Sequence, residues 1–491
     1  MSNSGDLQLN ENSRVGHRAE LRNVIMMSIP VVITTSSRAV MDIADFLMIA
    51  QLPTHDAQAA ILPAQVIMWS YIVIGMGVVS LVSTFASQCL GRGEPRECST
   101  YAWQSIYVGG VFGVIGVALI PFAPALVVAI GHEESVQHAE IAYLRIALLT
   151  AGPTIAANGL GWFFIGVHRP WITMWSALEA NVVNVVVSAT LIFGLFGFES
   201  MGIAGAAWGT VAAVTFRTVR LSATLLHPSV DKPLGSRTAW RPSWSRIKKL
   251  FRHGIPAGLQ WTSEVVVWGV FINILVGRRF GTAELIATNA TWQYLRIAFL
   301  PSMGVGQALT ALVGKSIGAG EPERAMREVR FAVWITLAYL VALSVVYAIF
   351  GGELISLFND DPTVVRIGAK IMICAAVFQI FDALGITYSA ALRGAGDTFV
   401  PAMFFIVTTW LIIVGGGWCM IHWYPALGSL GPWLSASVFI VVTALFLRWR
   451  WQSRAWMKID LFGTGGASRN EEGDESVEAE LPLATGGSCE S

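Results

Sequence analysis

An all-α integral membrane protein, with twelve transmembrane helices in two parallel six-helix lobes, is the fold the sequence predicts, on three observations. The first is composition: of 491 residues, 54% are hydrophobic and only 13% charged, with a mean hydropathy of +0.60. A soluble domain carries about 25% charged residues, so lipid must solvate much of this surface. The second is the recurrence of apolar runs near the roughly 20 residues that cross a bilayer. Lipid leaves only helix bundles or closed barrels, and these runs lack the alternation of strands. The third is a repeat. Met76-Gly77-Val78, then twelve residues, then Gly91-Arg92-Gly93-Glu94-Pro95 returns 227 residues later as Met303-Gly304-Val305, twelve residues, and Gly318-Ala319-Gly320-Glu321-Pro322.

Taken in order, twelve spans fall at about 24–50, 58–86, 101–130, 140–165, 171–196, 202–227, 250–277, 285–316, 330–350, 366–391, 398–423 and 430–450. Spans two and eight each run into the Gly-x-Gly-Glu-Pro turn, which stops the helix. A second match, Gly202-x-x-Gly205 before span six and Gly428-x-x-Gly431 before span twelve, is 226 residues apart. Between spans six and seven, His227-Pro228, Lys232-Pro233, Gly235-Ser236 and Arg241-Pro242 break helix and carry positive charge. Six spans per half start both halves on one side of the membrane, so the repeat is parallel, about an axis along the membrane normal.

The domain reading is a cytosolic N-terminal tail 1–23, an N-lobe 24–227, a cytosolic linker 228–249, a C-lobe 250–452 and a disordered cytosolic tail 453–491. Arg14, Arg18, Arg22, Arg92, Arg96, Arg169, the linker cluster, Arg324, Arg327, Arg330, Arg393 and Arg448 to Lys458 fall on one side. The positive-inside rule then sets both termini in the cytoplasm of a multi-pass protein of the inner (plasma) membrane. No short apolar stretch with a small-residue cleavage site follows the polar first 23 residues, so no removable signal peptide is expected.

Zero net formal charge gives no support to nucleic-acid binding. Five scattered cysteines without Cys-x-x-Cys spacing suggest neither a disulfide framework nor a metal site. Gly314-Lys315-Ser316 resembles the end of a phosphate loop, but position 309 is Leu where that motif needs Gly. His132-Glu133 has Val136 where a zinc helix needs its second His. No cofactor is expected, and any pumping must be driven by an ion gradient.

Acidic residues inside apolar spans are the sharpest chemical signal, because a carboxylate at the bilayer centre costs several kcal/mol unless it meets a cavity or a partner. Asp42 and Asp45 share a face of span one, Glu264 lies in span seven and Asp382 in span ten, with Glu179 in span five near a boundary. Such groups can bind a proton or sodium ion, or hold a cationic substrate; Na⁺ is the candidate metal at Glu264 and Asp382. The competing reading is internal pairing with Arg38, Arg145 or Arg296. Asn181 and Asn184 in span five either line a cavity or bond between helices. Trp261, Trp268 and Phe378 lie within a turn of the acids and can stack on a cation or simply pack.

The two halves, the paired Gly-x-Gly turns and Gly394-Ala395-Gly396-Asp397-Thr398 after span ten together resemble the multidrug and toxic compound extrusion (MATE) family, from about Ile25 to Trp451. In its NorM-type branch, acids stand in spans one, seven and ten; Asp45, Glu264 and Asp382 match them. Asn184 resembles a span-five asparagine and Gln88 a polar residue ending span two. Phe378 stands where the branch often has Tyr. The resemblance implies a monomeric antiporter, not an enzyme, exporting cationic or amphiphilic small molecules across the bilayer for Na⁺ or H⁺, with Glu264, Asp382 and Asp45 coupling. Asp42, Asn184, Asn181, Gln88, Phe378 and Trp261 would then belong to the substrate cavity. The rivals are a lipid-linked oligosaccharide flippase, which favours a cationic cavity, and a polytopic membrane enzyme.

Overall fold

The computed structural model describes residues 3–51, 55–128 and 134–462; side chains before position 18 and at positions 42, 46, 50, 55–63 and 134–135 lie outside the described residues. Helices dominate, with no strand among the described residues. In chain order they are α1 (Asn3–Ala50), α2 (His55–Gly91), α3 (Pro95–Val128), α4 (Val136–Gly166), α5 (Pro170–Phe193) and α6 (Ile203–Leu225) in the first half. The second half has α7 (Trp244–Phe280), α8 (Thr282–Gly318), α9 (Pro322–Ser356), α10 (Pro362–Ala395), α11 (Phe399–Trp423) and α12 (Leu430–Gln452). Eleven of these are long and apolar enough to cross a membrane. The twelfth, α6, has the length, at 23 residues, but Arg217 and Arg220 lower its hydropathy.

Helix starts follow the sequence closely. Proline occupies the first turn of α3, α5, α9 and α10, where its missing N–H is not needed. The repeated turn has one conformation in both halves: φ is +75° at Gly93 and +74° at Gly320. A Schellman bond closes each, from the Glu94 N–H to the Cys89 carbonyl at 3.0 Å and from Glu321 to Ser316 at 2.8 Å. The first glycine of each copy does something different. A Cβ on Gly91 would lie 2.1 Å from the Lys315 carbonyl oxygen, and one on Gly318 would lie 2.2 Å from that of Gln88. The ends of α2 and α8 therefore cross backbone to backbone, and the repeat encodes both the crossing and the turn beyond it.

The same symmetry governs the rest of the bundle. Within each half, α3 packs on α4 as α9 does on α10, and α5 on α6 as α11 does on α12. Between halves, α7 packs on α2 and α1 on α8, through Gly77 against Gly258 and Gly304 against Val32. Pro301 inside α8 frees the Ile297 carbonyl, and the Tyr339 hydroxyl donates to it at 3.0 Å. Outward faces are apolar, as at Val114, Trp175 and Leu411, which suits lipid contact.

The linker docks instead of hanging free. Its segment holds a short helix, Pro228–Leu234; Ser99 donates to the Leu234 carbonyl and Trp103 to that of Ser236. Past α12 the chain stays packed as far as Phe462. Trp456 is buried and stacks on Trp451, while the Arg92 guanidinium sits 3.5 Å over the Phe462 ring. The rest of the expected tail, 463–491, lies outside the described residues.

Candidate functional site: one cavity in each lobe

A helix that must bury polar groups in an apolar bundle gathers them on one face, and α10 does so. Asp382, Ile386, Ser389 and Arg393, spaced i, i+4, i+7 and i+11, all line one cavity of about 150 Å³. Gln260 and Glu264, one turn apart, face it from α7, and Gln307 and Thr310 from α8. The remaining wall is apolar, with Phe299, Phe405 and Phe439. Wide π-helical turns interrupt α7 at Phe271–Gly277 and α11 at Thr409–Gly416.

A second cavity, of about 300 Å³, lies mainly in the first half. Its polar wall comprises Arg38 from α1, Asn158 from α4, Asn181 from α5 and Arg217 from α6, and Trp69, Trp162 and Trp261 supply aromatic surface. Met303 and Gln307 line both cavities, so α8 is the partition between them.

The sequence candidates separate in three dimensions. Glu264 and Asp382 share the C-lobe cavity. Neither has a basic partner within ion-pair distance among the described residues, so pairing with Arg38, Arg145 or Arg296 does not account for them. Trp261 and Asn181 line the N-lobe cavity, and the Asn181 amide also donates to the Ser37 carbonyl at 3.0 Å. Asp45 is half-buried on α1 and is in neither wall; the Asp42 side chain lies outside the described residues. Asn184 is fully buried between helices. Gln88 donates to the Gly394 carbonyl at 2.9 Å, tying α2 to the end of α10. Phe378 is buried and stacked on Trp433, with rings 7° apart in plane and 6.3 Å between centroids. Glu179 pairs with Arg220 at 3.0 Å on an exposed face.

Gln260, Gln307, Arg217 and Arg393 also line the cavities and stand outside the sequence candidates. By position Arg393 groups with the loop charges of one membrane face, whereas its side chain stands in the wall of the cavity that holds the two acids. Its signal lies in the Asp382, Ser389, Arg393 spacing, which sets the three polar groups on one helix face. Arg217 was available as one of two arginines inside span six.

A duplicated helical bundle with ionisable groups gathered in a cavity of each half has the build of a membrane transporter. The chain belongs to the MATE family: the MatE family model matches residues 30–190 and 263–418. It is accordingly a multi-pass membrane transporter and not an enzyme. It is similar to a "Probable multidrug resistance protein NorM" of Rhizobium meliloti (strain 1021), 26% identical over 439 residues, covering 87% of this chain and 92% of that one. A protein of the same name from Rhodopseudomonas palustris is 27% identical over 447 residues, covering 88% and 92%. Among solved structures, an outward-facing multidrug resistance MATE family transporter superposes with a TM-score of 0.81 at 19% identity, over 90% of this chain and 97% of that one.

Proposed function

We propose that this chain is a secondary antiporter that exports amphiphilic organic compounds, cations among them, in exchange for Na⁺ or H⁺. The observation that carries the reading is the placement of Glu264 and Asp382, from two different helices, in one cavity whose single described basic lining residue, Arg393, makes an ion pair with neither. Two carboxylates and one guanidinium around a low-dielectric cavity leave room for one further cation, and a proton, a sodium ion or an organic cation each meets that need. Gln260, Gln307, Thr310 and Ser389 add neutral oxygens around them, the hard donors that a sodium ion takes. Exchange follows when ion and substrate compete for the acids or favour opposite conformers. The names of the relatives support drug-like substrates.

In this reading the protein acts as a monomer in the inner membrane, its linker face and both termini are cytoplasmic, and the lobes 24–227 and 250–452 rock about the α2–α8 crossing. Asp45 contributes to coupling from α1. A flippase for lipid-linked sugars is the second reading, favoured by the arginines of the N-lobe cavity. Proteoliposomes loaded with a fluorescent cationic dye decide between them. A sodium or pH gradient should drive dye out through the wild type, and Glu264→Gln and Asp382→Asn should each abolish the gradient's effect. Full gradient-driven transport in both variants would sink the coupling assignment, and no dye movement by the wild type would favour the flippase.

A further inference from the structure

The N-lobe cavity has the opposite electrostatic character from its neighbour. Among the described residues, Arg38 and Arg217 are its sole ionisable lining groups, with no aspartate or glutamate in the wall. Neither arginine has a carboxylate within ion-pair distance among the described residues. Glu179 on α5 pairs with Arg220 of α6 at 3.0 Å. Arg38 instead sits 4.5 Å over the ring of Trp69. The Nε of Arg217 is buried with no hydrogen-bond partner among the described residues. Guanidinium carries its donors in a planar fork that matches a carboxylate bidentately. Two like charges thus face one space with no anion among its described lining residues, an arrangement that an anionic ligand would compensate.

We infer that this cavity is a binding site for the carboxylate of an aromatic amphiphile, held by Arg217 and Arg38 with its ring system between Trp69, Trp162 and Trp261. The inference rests on the reading of the chain as a transporter of organic compounds and deepens it. The volume of about 300 Å³ sits at the lower end of the range for small-ligand sites. The wall also suits a flat aromatic body: the Trp162 and Trp261 ring centroids stand 6.2 Å apart, tilted at 47°. A substrate with a carboxylate at one end and an ammonium group at the other would reach past Met303 and Gln307 toward Glu264 and Asp382. The paired cavities thus select zwitterions and organic acids over plain cations at the N-lobe.

The test compares rhodamine B, which carries a free carboxylate, with its ethyl ester, which keeps the same cationic ring system without it. Fluorescence anisotropy with the purified full-length protein in detergent should give tighter binding of the free acid by about tenfold. Arg217→Gln should erase that preference, Arg38→Gln should reduce it, and Arg217→Lys should retain part of it because the charge remains. Equal binding of acid and ester by the wild type would overturn the assignment, as would an unchanged ratio in both glutamine variants. A third arm adds inorganic pyrophosphate as competitor: no displacement is expected, and displacement at micromolar concentration would overturn the carboxylate in favour of a phosphate group. Binding is read without a membrane or a gradient. Acid preference without gradient-driven efflux would therefore defeat the antiport reading alone, and efflux without acid preference would defeat this one alone.

Discussion

The guanidinium of Arg393 lies 5.3 Å over the ring of Trp261, so a residue of the C-lobe cavity rests on a residue of the N-lobe cavity. The contact holds the one basic group among the described lining residues of the acids' cavity without an ion pair to either acid. Arg393→Gln should remove the positive charge that competes with an incoming cation. The sodium concentration giving half-maximal dye release should fall about threefold or more, read from a sodium titration of dye-loaded proteoliposomes. An unchanged or raised concentration would show that Arg393 does not act on the acids electrostatically. Trp261→Ala should cost about 1 kcal/mol of stability from the stacking contact and alter both cavities together.

The two glycines of the repeated turn should respond differently to substitution. Gly93 has φ +75° and open space around a notional Cβ, so Gly93→Asn should be tolerated at under about 1 kcal/mol. Gly91→Ala places a methyl group against the Lys315 carbonyl, which cannot move without separating α2 from α8. A loss of about 1–3 kcal/mol is expected, measured as a lower midpoint in a detergent thermal melt. Equal effects at the two positions would contradict the separate roles.

Asp397 is buried and pairs with Arg450 at 2.7 Å, linking the turn after α10 to the end of α12. Removing one partner of a buried pair leaves a charge without compensation. Asp397→Ala should therefore destabilise the protein by about 3 kcal/mol, seen as loss of folded protein in size-exclusion profiles after mild heating. Profiles matching the wild type would mean that Arg450 finds another acceptor.

Glu97 on α3 holds Arg246 at the start of α7 through two bonds of 2.8 Å. Both side chains are about one-third exposed, so the pair should contribute no more than about 1 kcal/mol. Its importance is positional, because it joins the halves on the linker face. Glu97→Gln and Arg246→Gln should each speed labelling of a cysteine placed at Gln307, and the charge-swapped double variant should restore the slow rate. Identical labelling in all forms would remove the pair from any role in closing that face.

The buried acids were legible in the sequence because any carboxylate in an apolar run stands out, and their helices could be numbered from hydropathy. Their association was not legible. Glu264 and Asp382 are 118 positions apart, and only the packing of α7 and α10 around α8 puts them in one wall. Asn184 and Phe378 illustrate the reverse: polar or aromatic residues at helical spacing from a site residue point at the same face of their own helix, yet the neighbouring helix decides whether that face meets a cavity or another side chain.

By itself, the sequence determined the membrane class, the twelve helices, their division into two like halves and the turn that ends α2 and α8. Hydropathy, proline placement and glycine conformation are local properties, and they act over a few residues whatever surrounds them. The tertiary structure alone decided that the first glycine of each repeat is a crossing point, that Arg393 belongs to a cavity and not to a loop, and that Arg38 and Arg217 face the same space. Those outcomes depend on which helices touch, and side-chain charges that look scattered along the chain become paired or opposed only when the bundle closes around them.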